Sequence, residues 1–168
     1  MKFYQGQTIV HPHHGPATVT DITTSPVRGV PTTYLRLQVQ ATDLVIGVPL
    51  DRAEDVGLRP LLDDQERAGL LAVLGAPGEV QETAWSRRYK ATQDRLRVGD
   101  LLVTAGVVRD LTRRLHAQGL SLGERDQLRE ARGLVVAEAS AALGLSREEA
   151  EQELDAAIVA GAAAATAG

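Results

Sequence analysis

The chain has 168 residues, 43% of them apolar and only 3% aromatic, and carries a net charge of −4. That length suits one ordinary domain or two small ones, and the lack of cysteine excludes both a disulfide framework and a thiolate metal site, in keeping with a reducing cytosol. No apolar run approaches the roughly 18 residues of a membrane-spanning helix, and the first residues lack the apolar stretch of a signal peptide, so a cytoplasmic location is expected.

Residues 1–60 read as strands. Gln7 to His11 is β-branched at its centre, and Pro12 stops it. Ala17 to Ile22 alternates apolar and polar residues, the period of a half-buried strand. Gly15-Pro16 turns the chain before it, and Ser25-Pro26 with Arg28-Gly29 predicts the next loop. Tyr34 to Gln40 is the cleanest alternation, with Leu35, Leu37 and Val39 facing inward, and Leu44 to Val48 follows closely enough to predict a hairpin. Val56 to Pro60 offers a short last strand. Five short strands over this length imply a small curled sheet or partial barrel.

From Leu61 the period becomes helical. Asp63 and Glu66 have capping-box spacing before Ala68, Leu70, Leu71, Val73 and Leu74, and Gly75 to Gly78 ends that helix. Thr83 is the expected cap of a second helix running to about Arg97, which puts Trp85 at its second position. Gly99-Asp100 opens a third, with Leu101, Ala105, Val108 and Leu115 on one face and Arg109, Arg113 and Arg114 elsewhere; Gly119 stops it. Ser121/Glu124 and Ser146/Glu149 are two more capping boxes, separated by Gly144. The chain is therefore read as α+β: a β domain over residues 1–60, a bundle of about five α-helices over 61–160, and a flexible Ala-rich tail over 161–168.

Charge is unevenly spread: residues 77–115 carry +3, against −2 before them and −5 after. The island surrounds Thr83-Ala84-Trp85-Ser86-Arg87-Arg88-Tyr89-Lys90, which holds the only tryptophan. An aromatic beside clustered cations can stack on bases and hold phosphates. Trp85 and Tyr89 also share a helix face at i,i+4, which equally describes a core pair behind a solvated basic face. The residues alone leave both readings open. If the pair is split, Tyr89 packs inward with Leu96 and Trp85 projects from the first turn.

Enzymatic chemistry finds no foothold. No phosphate-cradling glycine loop, Gly-x-Ser-x-Gly elbow or cysteine nucleophile is present, and Asp63/Asp64 and Glu148/Glu149 complement helix dipoles in first turns. His11, His13 and His14 flank Pro12 without a nearby acid to complete a metal set, so a turn with a ring bonded to backbone is expected in place of a metal centre. The protein is read as a non-enzyme without cofactor.

These residues resemble the CarD/CdnL family of bacterial RNA polymerase-binding transcription regulators. The likeness rests on Gly6-x-Thr8-x-Val10-x-Pro12-His13-His14-Gly15, Val48-Pro49, Ala76-Pro77, Trp85-Ser86-Arg87-Arg88-Tyr89-Lys90-Ala91, Val107 to Leu111, and Gly119-Leu120-Ser121-x-Gly123-Glu124. It implies a Tudor-like N-terminal domain, akin to that of the transcription-repair coupling factor, which docks on the polymerase β subunit. It also implies a helical domain that contacts promoter DNA at the upstream edge of the melted bubble. Trp85 matches the family's minor-groove wedge. Arg87, Arg88, Lys90 and Arg125 (a lysine in relatives) match positions facing phosphates. Relatives carry polymerase-gripping arginines where this chain has Ser25 and Gly47, and often tyrosine at His11, so the grip here is expected to be weaker or differently placed, with Arg28, Arg36 and Arg52 as available cations. A monomer bound to polymerase is expected. The competing reading is a protein-interaction adaptor that binds no DNA and buries Trp85 in its helical core.

Overall fold

The computed structural model describes residues 1–79 and 82–166 and divides into two compact units, Met1–Leu61 and Leu62–Gly168. The first is a four-stranded antiparallel sheet in the order β1 (Thr8–His11), β2 (Gly15–Val27), β3 (Val30–Val39), β4 (Val45–Pro49), curled into a half-barrel. Its core is Ile9, Ala17, Val19, Leu35, Leu37, Val39, Val48, Ala53 and Leu58. Leu35, Leu37 and Val39 point inward as their alternation predicts.

Three local expectations are corrected. The stretch read as a loop around Ser25 and Pro26 is paired ribbon: β2 and β3 continue to Val27 and Val30, closing on a two-residue turn. Arg28 (φ 51°) and Gly29 (φ 82°) supply the two positive φ angles of the hairpin turn that suits strand twist. Second, the alternation of β2 breaks at Thr20, where the register shifts between Val19 and Asp21; such a bulge bends a strand and increases its twist. Third, the expected last strand is only a bridge between Val10 and Arg59. A 3₁₀ turn (Leu50–Arg52) and the one-turn helix α1 (Ala53–Val56) precede it.

The histidine turn is held by the His13 backbone N–H donating to His11 Nδ1 at 3.2 Å, with the His11 and His14 rings 4.6 Å apart. Burial, assisted by His14 and His13, pushes the His11 pKa down to about 4. The unfolded chain takes up this proton below the ordinary 6.5, whereas the folded chain refuses it until about 4. Stability present above pH 6.5 is thus lost as pH falls toward 4. An NMR titration should show the His11 ring titrating near 4, and His11→Phe should flatten the acid loss of sheet stability over that window.

The second unit comprises α2 (Asp64–Gly75), α3 (Trp85–Arg97), α4 (Leu101–Ala117), α5 (Leu122–Leu143) and α6 (Arg147–Thr166). All three predicted capping boxes form. Asp63 with Glu66 and Ser121 with Glu124 bond reciprocally, as do Ser146 and Glu149. Asp100 caps α4 by accepting from the Val103 N–H at 2.9 Å. Helix α4 is the centre of the bundle, packing against the other four helices, with Ala105, Val107, Val108 and Leu111 fully buried. Leu115, expected on its core face, is instead 37% exposed near the helix end.

The Ala-rich stretch expected to fray is helical to Thr166, and residues 167–168 lie outside the described residues. Alanine has the best helix propensity, and packing adds to it: a Cβ on Gly161 would collide with the Gly75 carbonyl and stand 2.7 Å from the Gly75 Cα. Two glycines thus let α6 cross the end of α2 backbone to backbone.

Candidate nucleic-acid interface

Most of the basic island is consumed inside the bundle. Arg109 donates to Asp110 at 2.8 Å and to the Val73 carbonyl at 3.0 Å. Arg113 donates to the carbonyls of Ala76 at 2.8 Å and Ile158 at 3.2 Å. These arginines bond carbonyls at the end of α2 and one on α6, tying the C-terminus of α2 into the bundle. Arg95 pairs with Asp110 at 3.2 Å and with Glu79 at 3.5 Å. The positive charge of residues 77–115 is therefore in good part structural.

Arg88 departs most from its expected place. It is only 7% exposed, and its Nε donates to Glu124 Oε1 at 2.6 Å. Its Nη1 donates to the carbonyls of Glu82 and Thr83, both at 3.1 Å. Arg88, expected to face phosphates, is thus turned inward, from α3 toward Glu124 on α5. The same bonds explain the helix start. Thr83 was the expected cap, but the cap position is Ala84, which has no side-chain bond, and Trp85 is the first helical residue. Arg88 reaches back and binds the chain entering the helix, which a hydroxyl cap would otherwise help to hold.

Arg87, Lys90 and Arg125 do face solvent. Arg87 makes only a loose surface pair with Glu82, at 3.6 Å, of a kind worth little in water.

Trp85 is 52% exposed, so it is not a core residue and the reading that buries it in the bundle is corrected. It is nevertheless held. Its ring stacks on Tyr89, with centroids 5.6 Å apart and planes inclined by 28°, an offset geometry that aromatic pairs favour. Its Nε1–H donates to Ser121 Oγ at 2.9 Å. Tyr89 packs on Gly123 at the first turn of α5: a Cβ there would lie 2.9 Å from Tyr89 Cε2. Gln127 Nε2 donates to the Tyr89 carbonyl at 3.2 Å. Trp85 projects from the first turn, and Tyr89, expected to pack inward with Leu96, is half-buried with its ring on Gly123 of α5.

Glu124 joins these parts. It is 2% exposed, and its Oε2 accepts from the Ser121 N–H at 3.0 Å and the Ser121 hydroxyl at 2.8 Å. Burial alone would raise its pKa, but the hydrogen bonds from Arg88 and Ser121 outweigh it and hold the carboxyl below its ordinary value. Ser121 and Glu124 were legible as a capping box, but their second use was not, since Trp85 and Ser121 stand 36 residues apart. Leu122, directly after Ser121, is 79% exposed and also carried no sequence signal as part of this surface.

In the β unit, Ser25 lies in the outer part of β2, opposite Thr32; Arg28 is in the hairpin turn; and Gly47 lies on β4 opposite Arg36. All three are exposed, and a Cβ on Gly47 would meet nothing within 4 Å. The ribbon, its turn and β4 thus carry all three positions, but only Arg28 supplies a charge. Among the described residues no group of three or more His, Asp or Glu side chains is arranged to hold a metal, and no helix is long and apolar enough to cross a membrane.

The chain thus consists of a curled β unit followed by a five-helix bundle that presents a mounted tryptophan. Residues 3–62 match the model of the CarD-like/TRCF RID domain, and residues 69–155 match that of the CarD C-terminal domain. The chain belongs to the CarD family and is a transcription regulator. It is also similar to a Bacillus subtilis (strain 168) protein described as "Putative transcription factor YdeB", with 22% identity over 147 residues covering 88% of this chain and 96% of the relative.

Proposed function

We propose that this protein binds RNA polymerase through its β unit, at the β subunit, and stabilises the open promoter complex by placing Trp85 in the minor groove at the upstream edge of the bubble. The observation that carries this reading is the half-exposed Trp85, fixed on Tyr89 and Ser121 instead of buried. Exposing a large aromatic forfeits burial energy, and a wedge is a use for it. Unstacking a base step costs a few kcal/mol, of which an inserted ring returns part. Because the open junction offers that site and closed duplex does not, the equilibrium moves toward open by the difference in affinity. Arg87, Lys90 and Arg125 supply phosphate contacts that position without reading sequence, while Arg88 supports the wedge from within. Promoter choice then belongs to the polymerase.

The β unit supports a protein partner. Strand β4 is at one end of the sheet order, so its outer edge offers main-chain groups to a partner strand. Ser25, Arg28 and Gly47 lie on the ribbon and on β4, with Arg36 beside Gly47. The protein works as a monomer on polymerase, within the cytoplasm. The test is co-elution of the purified chain with polymerase holoenzyme, followed by permanganate footprinting of unpaired thymines on promoter DNA. Co-elution with stronger reactivity at the upstream bubble edge is the expected result; failure to co-elute, or unchanged reactivity at full occupancy, contradicts the reading.

A further inference from the structure

We propose that Ser121 is a positioning residue for Trp85: held by Glu124, its hydroxyl takes up the indole N–H so that the wedge meets DNA as a fixed stacking surface and not as a hydrogen-bond donor. This rests on the wedge reading above and adds to it how the ring is aimed and what it does not read.

A hydroxyl donates once and accepts twice. Ser121 uses all three. It donates to Glu124 Oε2 at 2.8 Å and accepts from the Trp85 Nε1–H at 2.9 Å and the Glu124 N–H at 3.3 Å. Helix capping requires only the last of these, and it is the longest. The shorter bond goes to a side chain on another helix. Donation to a buried carboxylate also polarises the hydroxyl oxygen and makes it a better acceptor for the indole. Arg88, on Glu124 Oε1 at 2.6 Å, keeps that carboxylate charged. The relay thus runs from Trp85 through Ser121 to Glu124 and back to α3 through Arg88, and both ends lie on the helix that carries the ring.

Two restraints then aim the indole. The Tyr89 ring covers one face and is seated against Gly123; Ser121 fixes rotation about the side chain. With the N–H occupied, what remains exposed is ring surface. Stacking tolerates any base because every base has a π-face, so the wedge carries no sequence preference of its own.

The test uses Ser121→Gly, since glycine is accepted at a cap for only a few tenths of a kcal/mol relative to serine, together with Ser121→Thr, which retains the hydroxyl. As Trp85 is the only tryptophan, the free protein gives one indole N–H resonance, whose solvent exchange reports the bond. Ser121→Gly should speed exchange and shorten open-complex lifetime by about two- to tenfold, the range of one hydrogen bond. Ser121→Thr should restore both. Unchanged exchange in Ser121→Gly overturns the proposal, as does an unchanged lifetime where Trp85→Ala shortens it. If Trp85→Ala itself leaves the lifetime unaltered, the wedge reading fails, and the aiming role proposed for Ser121 falls with it; indole exchange then reports only whether the bond holds in solution.

Discussion

Glu124→Ala should cost the helical unit about 3–5 kcal/mol, the usual loss when one partner of a buried ion pair is removed and the other stays behind. Three things fail together. Arg88, 7% exposed, is left with its Nε unpaired; the reciprocal half of the α5 capping box disappears; and the Ser121 hydroxyl loses its acceptor. Against a typical total stability of about 5–15 kcal/mol this is a large fraction. Urea unfolding followed by the fluorescence of Trp85 reads this unit specifically, because the chain's only tryptophan lies within it. Adding Arg88→Met to Glu124→Ala should recover part of the loss, since an apolar side chain leaves no charge stranded. A double variant less stable than the single one would show that Arg88 is held mainly by the Glu82 and Thr83 carbonyls. Acid should weaken the same joint: Glu124 is held below the ordinary 4.5, so its contribution is present above that pH and is lost as pH falls through the lowered value.

Trp85→Ala should do the opposite, leaving the fold nearly intact and removing function. The ring is 52% exposed, so its removal costs one aromatic contact and one hydrogen bond, together about 1–3 kcal/mol. A buried core tryptophan would cost about 3–5. On the proposed wedge reading the functional loss is set by stacking on an unstacked base, about 1–3 kcal/mol per base, which corresponds to roughly thirtyfold in open-complex lifetime near the middle of that range. Trp85→Phe separates the two restraints on the ring. It keeps a face for Tyr89 and a face for DNA but has no N–H for Ser121, and so should fall between Trp85→Ala and the native chain.

The helical unit was legible to the extent that its signals are local. Asp63/Glu66, Ser121/Glu124 and Ser146/Glu149 each close a capping box within four residues, so spacing alone revealed them. What escaped depends on partners far along the chain. Arg88 reads as one more surface cation until Glu124, 36 residues later, turns it inward. Arg113 reads likewise until it meets the Ile158 carbonyl, 45 residues later. The basic island looks more exposed in the sequence than it is in the fold, because sequence charge does not say which arginines end on backbone carbonyls. In the β unit the core alternation of β3 was clear, but Ser25-Pro26 carries loop chemistry inside paired ribbon. There the long β2–β3 pairing overrides local preference. In the tail, small residues that suggest flexibility lie in a helix, and one of them, Gly161, permits its close approach to Gly75.

The split of Trp85 from Tyr89 is the point at which sequence and structure meet. Four-residue spacing put the two rings on one face, and the first-turn position of Trp85 gave it less protein to hide in. The structure adds the mount. Tyr89 sits on Gly123, Ser121 takes the indole N–H, and Glu124 with Arg88 ties that joint to the start of α3. A solvent-exposed ring held this firmly is preorganised, so on the proposed reading less ordering entropy would be lost on meeting DNA.

The most direct measurement is the lifetime of open complexes on one promoter after competitor challenge, with polymerase saturated by either the native chain or Trp85→Ala. The native chain should lengthen the lifetime, and Trp85→Ala, bound to polymerase to the same extent, should return it to that of polymerase alone. An equal lengthening by both would contradict the wedge.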